Sequence, residues 1–177
     1  MLMTNMWREL SSGPDVPEVI HVVVEIPKRS RNKYEYDVES GLLKLDRVIS
    51  SSLHYPGDYG FIPRTLHYDG DPLDVLVMTN EPTFPGCLIE ARVLGIFHLI
   101  DKGERDDKIL AVPNTDPLFG GYHQLNDVPS HFLREVEHFF SVYKDLERVH
   151  VESGGWEGLA KAHQEIHEAI RLFRDRS

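Results

Sequence analysis

The chain has a single cysteine, Cys87, among 177 residues, which excludes an internal disulfide and any cysteine-based zinc cluster and points to a reducing compartment. It has no uninterrupted apolar run of membrane length. Its opening stretch, MLMTNMWRELSSGPDVPE, lacks the apolar core of a secretory signal. A cytoplasmic protein with no membrane partner is therefore expected. Basic residues are also scarce, 19 against 29 acidic ones for a formal charge of -10. That balance argues against nucleic acid as a partner held by overall charge. There is no GxxxxGK[ST] phosphate loop, internal repeat or low-complexity segment. The ten histidines include HQEIH at 163 to 167, but its glutamate is misplaced for the HExxH zinc pattern.

What is present is a dense acidic stretch, DGDPLDVLV at 69 to 77. Asp69, Asp71 and Asp74 run directly into Val75, Leu76 and Val77, which read as a buried strand. Carboxylates beside a core need a positive partner or a shifted pKa. Asp69 and Asp71 would share one face of an extended chain, and the bend at Pro72 can bring Asp74 round to them. Hard divalent cations, which take oxygen ligands, suit such a set. Asp-Gly and Gly-Asp-Pro are equally ordinary turn sequences, so the stretch alone leaves a solvated turn open. An EF-hand is a poor third reading, because Leu73 falls on a ligand position and the required glycine is absent.

The length fits one domain, and 41 percent hydrophobic content suffices for a core. Residues 4 to 11 predict a short helix capped by Thr4, with Met6, Trp7 and Leu10 on one side. Val19 to Ile26 predicts a strand interrupted by the charge of Glu25. Residues 33 to 49 predict a hairpin turning at Glu39 to Gly41, with Leu43, Leu45 and Val48 inward. If it folds back beside the first strand, Glu25, Lys33, Glu35 and Arg47 project into one cavity. Strands follow at 74 to 78 and 88 to 99, the latter bent at Gly95. IDKGERDDKILAVP is a charged hairpin tip between apolar arms. A helix from Val128 to about Leu146 takes Ser130 or Asp127 as cap and ends near Tyr143 and Lys144. A last helix runs from about Gly155 to Arg174 with Trp156 on its apolar stripe.

Seven blocks in this order, VVVEIP at 22, KYEYD at 33, LDR at 45, YPGDYGFI at 55, DGDPLD at 69, DKGERDDK at 101 and HFFSVYKDLE at 138, resemble the soluble inorganic pyrophosphatase family. The resemblance covers the chain from about Val19, leaving 1 to 18 as an N-terminal extension and 19 to 177 as one domain. It implies a five-stranded closed OB-type β-barrel with two principal outer helices, hydrolysing pyrophosphate with several magnesium ions, for which manganese or zinc are possible substitutes. By the same resemblance Asp69, Asp74, Asp101, Asp106 and Glu25 are metal ligands or hold metals through water. Lys33, Arg47, Lys108, Tyr143 and Lys144 bind phosphate. Asp71 orients and deprotonates the attacking water, and Glu35 and Tyr59 support the site. A homohexamer is implied, with the HFF face at 138 to 140 and the final helix as contacts. His150 and Arg148 stand where many members have lysines. The reading from another class is a noncatalytic OB-type module that binds nucleotide or polyphosphate.

Overall fold

The computed structural model describes residues 5 to 176. Its strands and helices, in chain order, are β1 (Val19–Ile26), β2 (Asn32–Asp37), β3 (Leu42–Val48), β4 (Asp58–Phe61), β5 (Asp74–Val77), β6 (Leu88–Asp101), β7 (Glu104–Arg105), β8 (Lys108–Pro113), α1 (Ser130–Val142), β9 (Val151–Glu157) and α2 (Leu159–Arg176). This is a β-rich fold with two principal helices. β1 pairs with β4, β4 with β5, β5 with β8 and β8 with β6, and β6 pairs back to β1. Only β5 and β8 run parallel among these neighbours. β2 and β3 form a separate two-stranded hairpin.

The long strand β6 serves two cores because of one irregularity. Its pairing with β8 shifts register between Val93 and Gly95. Before the shift, Ile89, Ala91 and Val93 face the cluster that includes Ile20, Val75, Ile109 and, from α2, Ala162, Ile166 and Ala169. After it, Leu94, Phe97 and Leu99 face the aromatic cluster containing Tyr55, Tyr59, Phe139, Phe140 and Tyr143. One extra residue in a period-two pattern exchanges the faces of everything beyond it. At the bend anticipated at Gly95 the odd-numbered positions thus exchange faces, and Ile96 takes their place in the first cluster. Gly60 has a different role. A Cβ there would lie 2.0 Å from the Val23 carbonyl oxygen, so only glycine allows β4 to approach β1 this closely.

Several local expectations are corrected. Thr4 lies outside the described residues, and residues 5 to 11 make a turn rather than a helix. The Glu9 N–H donates to the Asn5 carbonyl at 2.9 Å, and Asn5 Oδ1 accepts from the N–H groups of Trp7 and Arg8. The turn is fastened to the body by Trp7 Nε1 donating to the Thr65 carbonyl at 2.7 Å. At α1, neither expected cap operates. Pro129 precedes the helix without a side-chain bond, while the Asp127 carboxylate accepts from the N–H groups of His123 and Gln124. Trp156 belongs to β9, not to the last helix, which begins at Leu159. Ser153 and Gly155 pair with Leu99 and His98 of β6, and Gly154 is the extra residue at the register shift. On β3, Leu45 and Val48 face outward, at 50 and 52 percent exposure, whereas Leu43 packs against Val23 and Phe61. Phe139 and Phe140 are core residues, so the HFF segment leaves only His138 on the surface. No helix among the described residues is long and apolar enough to cross a membrane.

Candidate active site

A cavity of about 530 Å3 opens where the hairpin, the aspartate loop, the β6–β8 tip and the end of α1 meet. Glu25, Lys33, Glu35, Arg47, Tyr59, Asp69, Asp71, Asp74, Asp101, Asp106, Lys108, Tyr143 and Lys144 all line it. The thirteen side chains singled out from the sequence are brought together without exception.

Backbone irregularities aim two of them. The β1–β4 register slips between Val24 and Ile26, which leaves Glu25 as the extra residue and turns its carboxylate inward. There Glu25 Oε1 accepts the Tyr36 N–H at 2.7 Å. In the hairpin, Lys33 pairs with Arg47 but Tyr34 pairs with Leu45. Asp46 is the extra residue, so it and Arg47 both line the cavity. Strict alternation would have sent one of them away, which is why the sequence pattern did not find Asp46.

The aspartate loop closes on itself. Asp69 Oδ1 accepts the Asp71 N–H at 3.0 Å, and the His67 N–H donates to the Asp71 carbonyl at 2.7 Å. Gly70 supplies φ 92°, a conformation glycine adopts without cost. Leu73 is fully buried, which anchors the loop and leaves Asp74 as the first residue of β5. The parallel β5–β8 register then sets Asp74 directly beside Lys108.

Ammonium groups stand among the carboxylates. Lys108 Nζ donates to Asp74 Oδ2 at 2.6 Å and also to Asp106. Lys144 reaches Asp101, and Lys33 reaches Glu35 and Asp46. Arg47 pairs with Glu147 at 3.2 Å. Even so, cations are outnumbered. Glu25, Glu35, Asp46, Asp69, Asp71, Asp74, Asp101, Glu104 and Asp106 line the cavity against Lys33, Arg47, Lys102, Lys108 and Lys144, an excess of four acidic groups.

That excess is written in the proton affinities. Burial, reinforced by Asp74, pushes the Glu25 carboxyl up to about 8. Burial pushes Asp74 up to about 7, with Asp106 adding to the effect and Lys108 opposing it. Asp71 is raised by burial and then by neighbouring Asp69. Asp106 goes the other way. Burial opposes its charge, but Lys108 and Lys144 hold its carboxyl below the usual range. The phenols of Tyr59 and Tyr143 are held protonated by burial, so both are donors.

The donor set fits hard divalent cations. All the candidate ligands are oxygen donors, and Asp101 Oδ1 is buried without a hydrogen-bond partner. Among the described residues no three histidine, cysteine or carboxylate side chains already converge on one point. The lysines stand between the carboxylates, with Lys108 bonded to both Asp74 and Asp106.

Charged groups behind the cavity were not anticipated. Asp58 is fully buried and accepts from the Lys28 N–H and from Thr83, through both N–H and hydroxyl. Asp107 is buried against Arg105 and His98. Nothing in their local sequence separates them from solvated turn residues.

The sequence pattern of the family described as "Inorganic pyrophosphatase" matches residues 22 to 174. An inorganic pyrophosphatase of Halalkalibacterium halodurans is 51 percent identical over 158 residues, covering 89 percent of this chain and 97 percent of that protein. One from Haloferax volcanii is 46 percent identical over 174 residues, 98 percent of each. The crystal structure of inorganic pyrophosphatase from Thermus thermophilus superimposes with a TM-score of 0.94 at 41 percent identity, covering 97 percent of this chain and 99 percent of that one. With the likeness spanning fold and sequence alike from end to end, the chain belongs to the inorganic pyrophosphatase family and is an inorganic diphosphatase.

Proposed function

We propose that the chain hydrolyses pyrophosphate to two orthophosphates in a multi-magnesium site formed by this cavity. The observation that carries the reading is the surplus of four carboxylates in a pocket that must admit a highly charged anion. Left to themselves, the carboxylates and pyrophosphate would repel each other. Asp69, Asp74, Asp101, Asp106 and Glu25 are assigned to hold the cations. Bound divalent cations, magnesium first with manganese or zinc as substitutes, supply neutralisation of phosphate charge and a lowered pKa for the attacking water.

The chain's own residues do the rest. Lys33, Arg47, Lys108 and Lys144 present cationic donors to phosphate oxygens, and Tyr143 adds a neutral hydroxyl. Lys108 and Lys144 exchange a carboxylate partner for a phosphate oxygen as substrate enters. Asp71 takes the proton from the attacking water, and its raised pKa makes it the stronger proton acceptor. As the new P–O bond forms, the bridging P–O bond breaks and its electron pair leaves with the second phosphate. Tyr59 and Glu35 fix the groups around Asp74 and Lys33. The pairing that runs from β1 back to β1 is read as the five-stranded OB-type barrel supporting this cavity. A cytoplasmic homohexamer is the proposed assembly, and outward-facing Leu42, Leu45, Val48 and Phe84 are available for contacts in place of the HFF segment.

A noncatalytic nucleotide or polyphosphate module is not favoured, because a carboxylate surplus opposes anion binding without metal. Phosphate release from pyrophosphate, followed with magnesium, with calcium in its place and with chelator, tests the reading. Release only with magnesium, blocked by calcium, is the expected result. Undiminished release in chelator would overturn the multi-magnesium site.

A further inference from the structure

Behind the cavity, the two segments that carry its carboxylates are tied together by residues that do not line it. The His67 ring is 4 percent exposed, and its Nε2 accepts the Asp107 N–H at 3.2 Å. The backbone of the same residue holds the aspartate loop. Its N–H donates to the Asp71 carbonyl at 2.7 Å, and its carbonyl accepts the Gly70 N–H at 3.1 Å. One residue thus grips the loop of Asp69 and Asp71 with its main chain and the start of β8 with its side chain.

A second tie runs alongside. Asp107 sits between Asp106 and Lys108, and chain alternation turns its side chain away from theirs. Its carboxylate, 1 percent exposed, meets Arg105 and, at 3.1 Å, His98 Nδ1. The Arg105 guanidinium lies 4.7 Å from the centre of the Tyr68 ring and bonds Glu165 of α2 at 3.0 Å. Neighbouring residues of the loop, His67 and Tyr68, therefore meet Asp107, in the link between β7 and β8, and Arg105, at the end of β7.

We propose that His67 and Arg105 are positioning residues that set the separation of Asp69 from Asp106, and so tune the affinity of the cavity for divalent cations. The inference rests on the metal-site reading given above. Ligands on two separate segments bind one cation group tightly only when the segments are held at the right distance. Residues that orient ligands without touching the metal commonly change affinity by about 10- to 100-fold.

Magnesium titration calorimetry on the full chain, without substrate, tests this, with chelator-treated melting temperatures measured in parallel. His67→Leu removes the acceptor and is expected to weaken magnesium binding by about 10-fold or more. His67→Gln, whose amide oxygen can take the Asp107 N–H, is expected to recover most of that loss. Arg105→Met acts in the same direction as His67→Leu and serves if His67→Leu fails to fold, because Asp107 keeps His98 as a partner and Glu165 keeps Lys161. Lys161→Met loosens Glu165 from outside, where their contact is 2.7 Å, and should leave the affinity unchanged. A lower melting temperature with wild-type magnesium affinity in both His67→Leu and Arg105→Met would reduce the pairs to structural supports and overturn the inference. Wild-type protein that binds no magnesium would overturn the metal-site reading itself, whereas unaltered affinity in the variants overturns only the positioning role.

Discussion

Replacing Glu25 with glutamine should stabilise the metal-free protein at alkaline pH. Glutamine keeps the size of the side chain and an oxygen for the Tyr36 N–H, which Glu25 accepts at 2.7 Å, but carries no charge. In the folded protein the Glu25 carboxyl titrates near 8 instead of at its ordinary 4.5, chiefly because of burial. The folded state therefore keeps a proton that the unfolded chain releases, and stability falls as pH rises from about 4.5 to about 8. At about 1.4 kcal/mol per tenfold change in proton affinity, the ceiling on this loss is about 5 kcal/mol. Relaxation of the surrounding groups around the charge lowers this ceiling, so about 2 to 3 kcal/mol is the expected figure. Urea unfolding of chelator-treated protein at several pH values between 5 and 9 reads it directly. Glu25→Gln should exceed wild type by that amount above pH 8 and by less than about 1 kcal/mol at pH 5. Added magnesium should narrow the difference by stabilising the charged wild-type site. Identical pH dependence in the two proteins would refute the claim that this carboxylate is held against its charge.

Asp71→Asn should retain magnesium binding measured by calorimetry yet lose most phosphate release at neutral pH, because only the proton acceptor is removed; near-normal turnover would exclude the base assignment. Lys108→Met leaves Asp74 and Asp106 adjacent without their shared ammonium, so the metal-free protein should lose about 3 to 5 kcal/mol in urea unfolding near pH 7. Excess magnesium should return much of that loss. For the wild type, melting should rise with magnesium over chelator by several degrees, and equal melting temperatures would count against cation binding to the folded state. Gly60→Ala forces a Cβ against the Val23 carbonyl oxygen, 2.0 Å away without adjustment, and should destabilise by at least about 1 to 3 kcal/mol.

Much of the architecture was legible because it follows short-range rules. The β-branched run of Val19 to Ile26, the turn chemistry at Glu39 to Gly41 and the helical spacing of Phe132, Val136 and Phe140 each needed only neighbours in the chain. Capping was less legible. Asn5 and Asp127 are both competent to satisfy helix N–H groups, and the sequence does not say which turn each will close. β9 was missed for a related reason, since its Ser153 and Gly155 take strand geometry only from pairing with β6, around the extra residue Gly154. The outward Leu45 and Val48 show the same limit. Which face of a two-stranded hairpin is covered depends on what lies beneath it.

For the site, the sequence by itself determined the inventory: clustered carboxylates, scattered cations on strand positions, and blocks whose order resembles one family. It also showed that these charges had to be explained together, because a buried charge without a partner is too costly to keep. Only the tertiary structure decided how they meet. Bulges at Glu25 and Asp46 turn charges toward the cavity against the period-two pattern, and the parallel β5–β8 register brings Asp74 beside Lys108 across 34 positions. The surplus of four carboxylates and the raised proton affinities of Glu25 and Asp74 arise from that convergence, since burial and charge repulsion depend on distances in space that residue spacing along a chain does not contain.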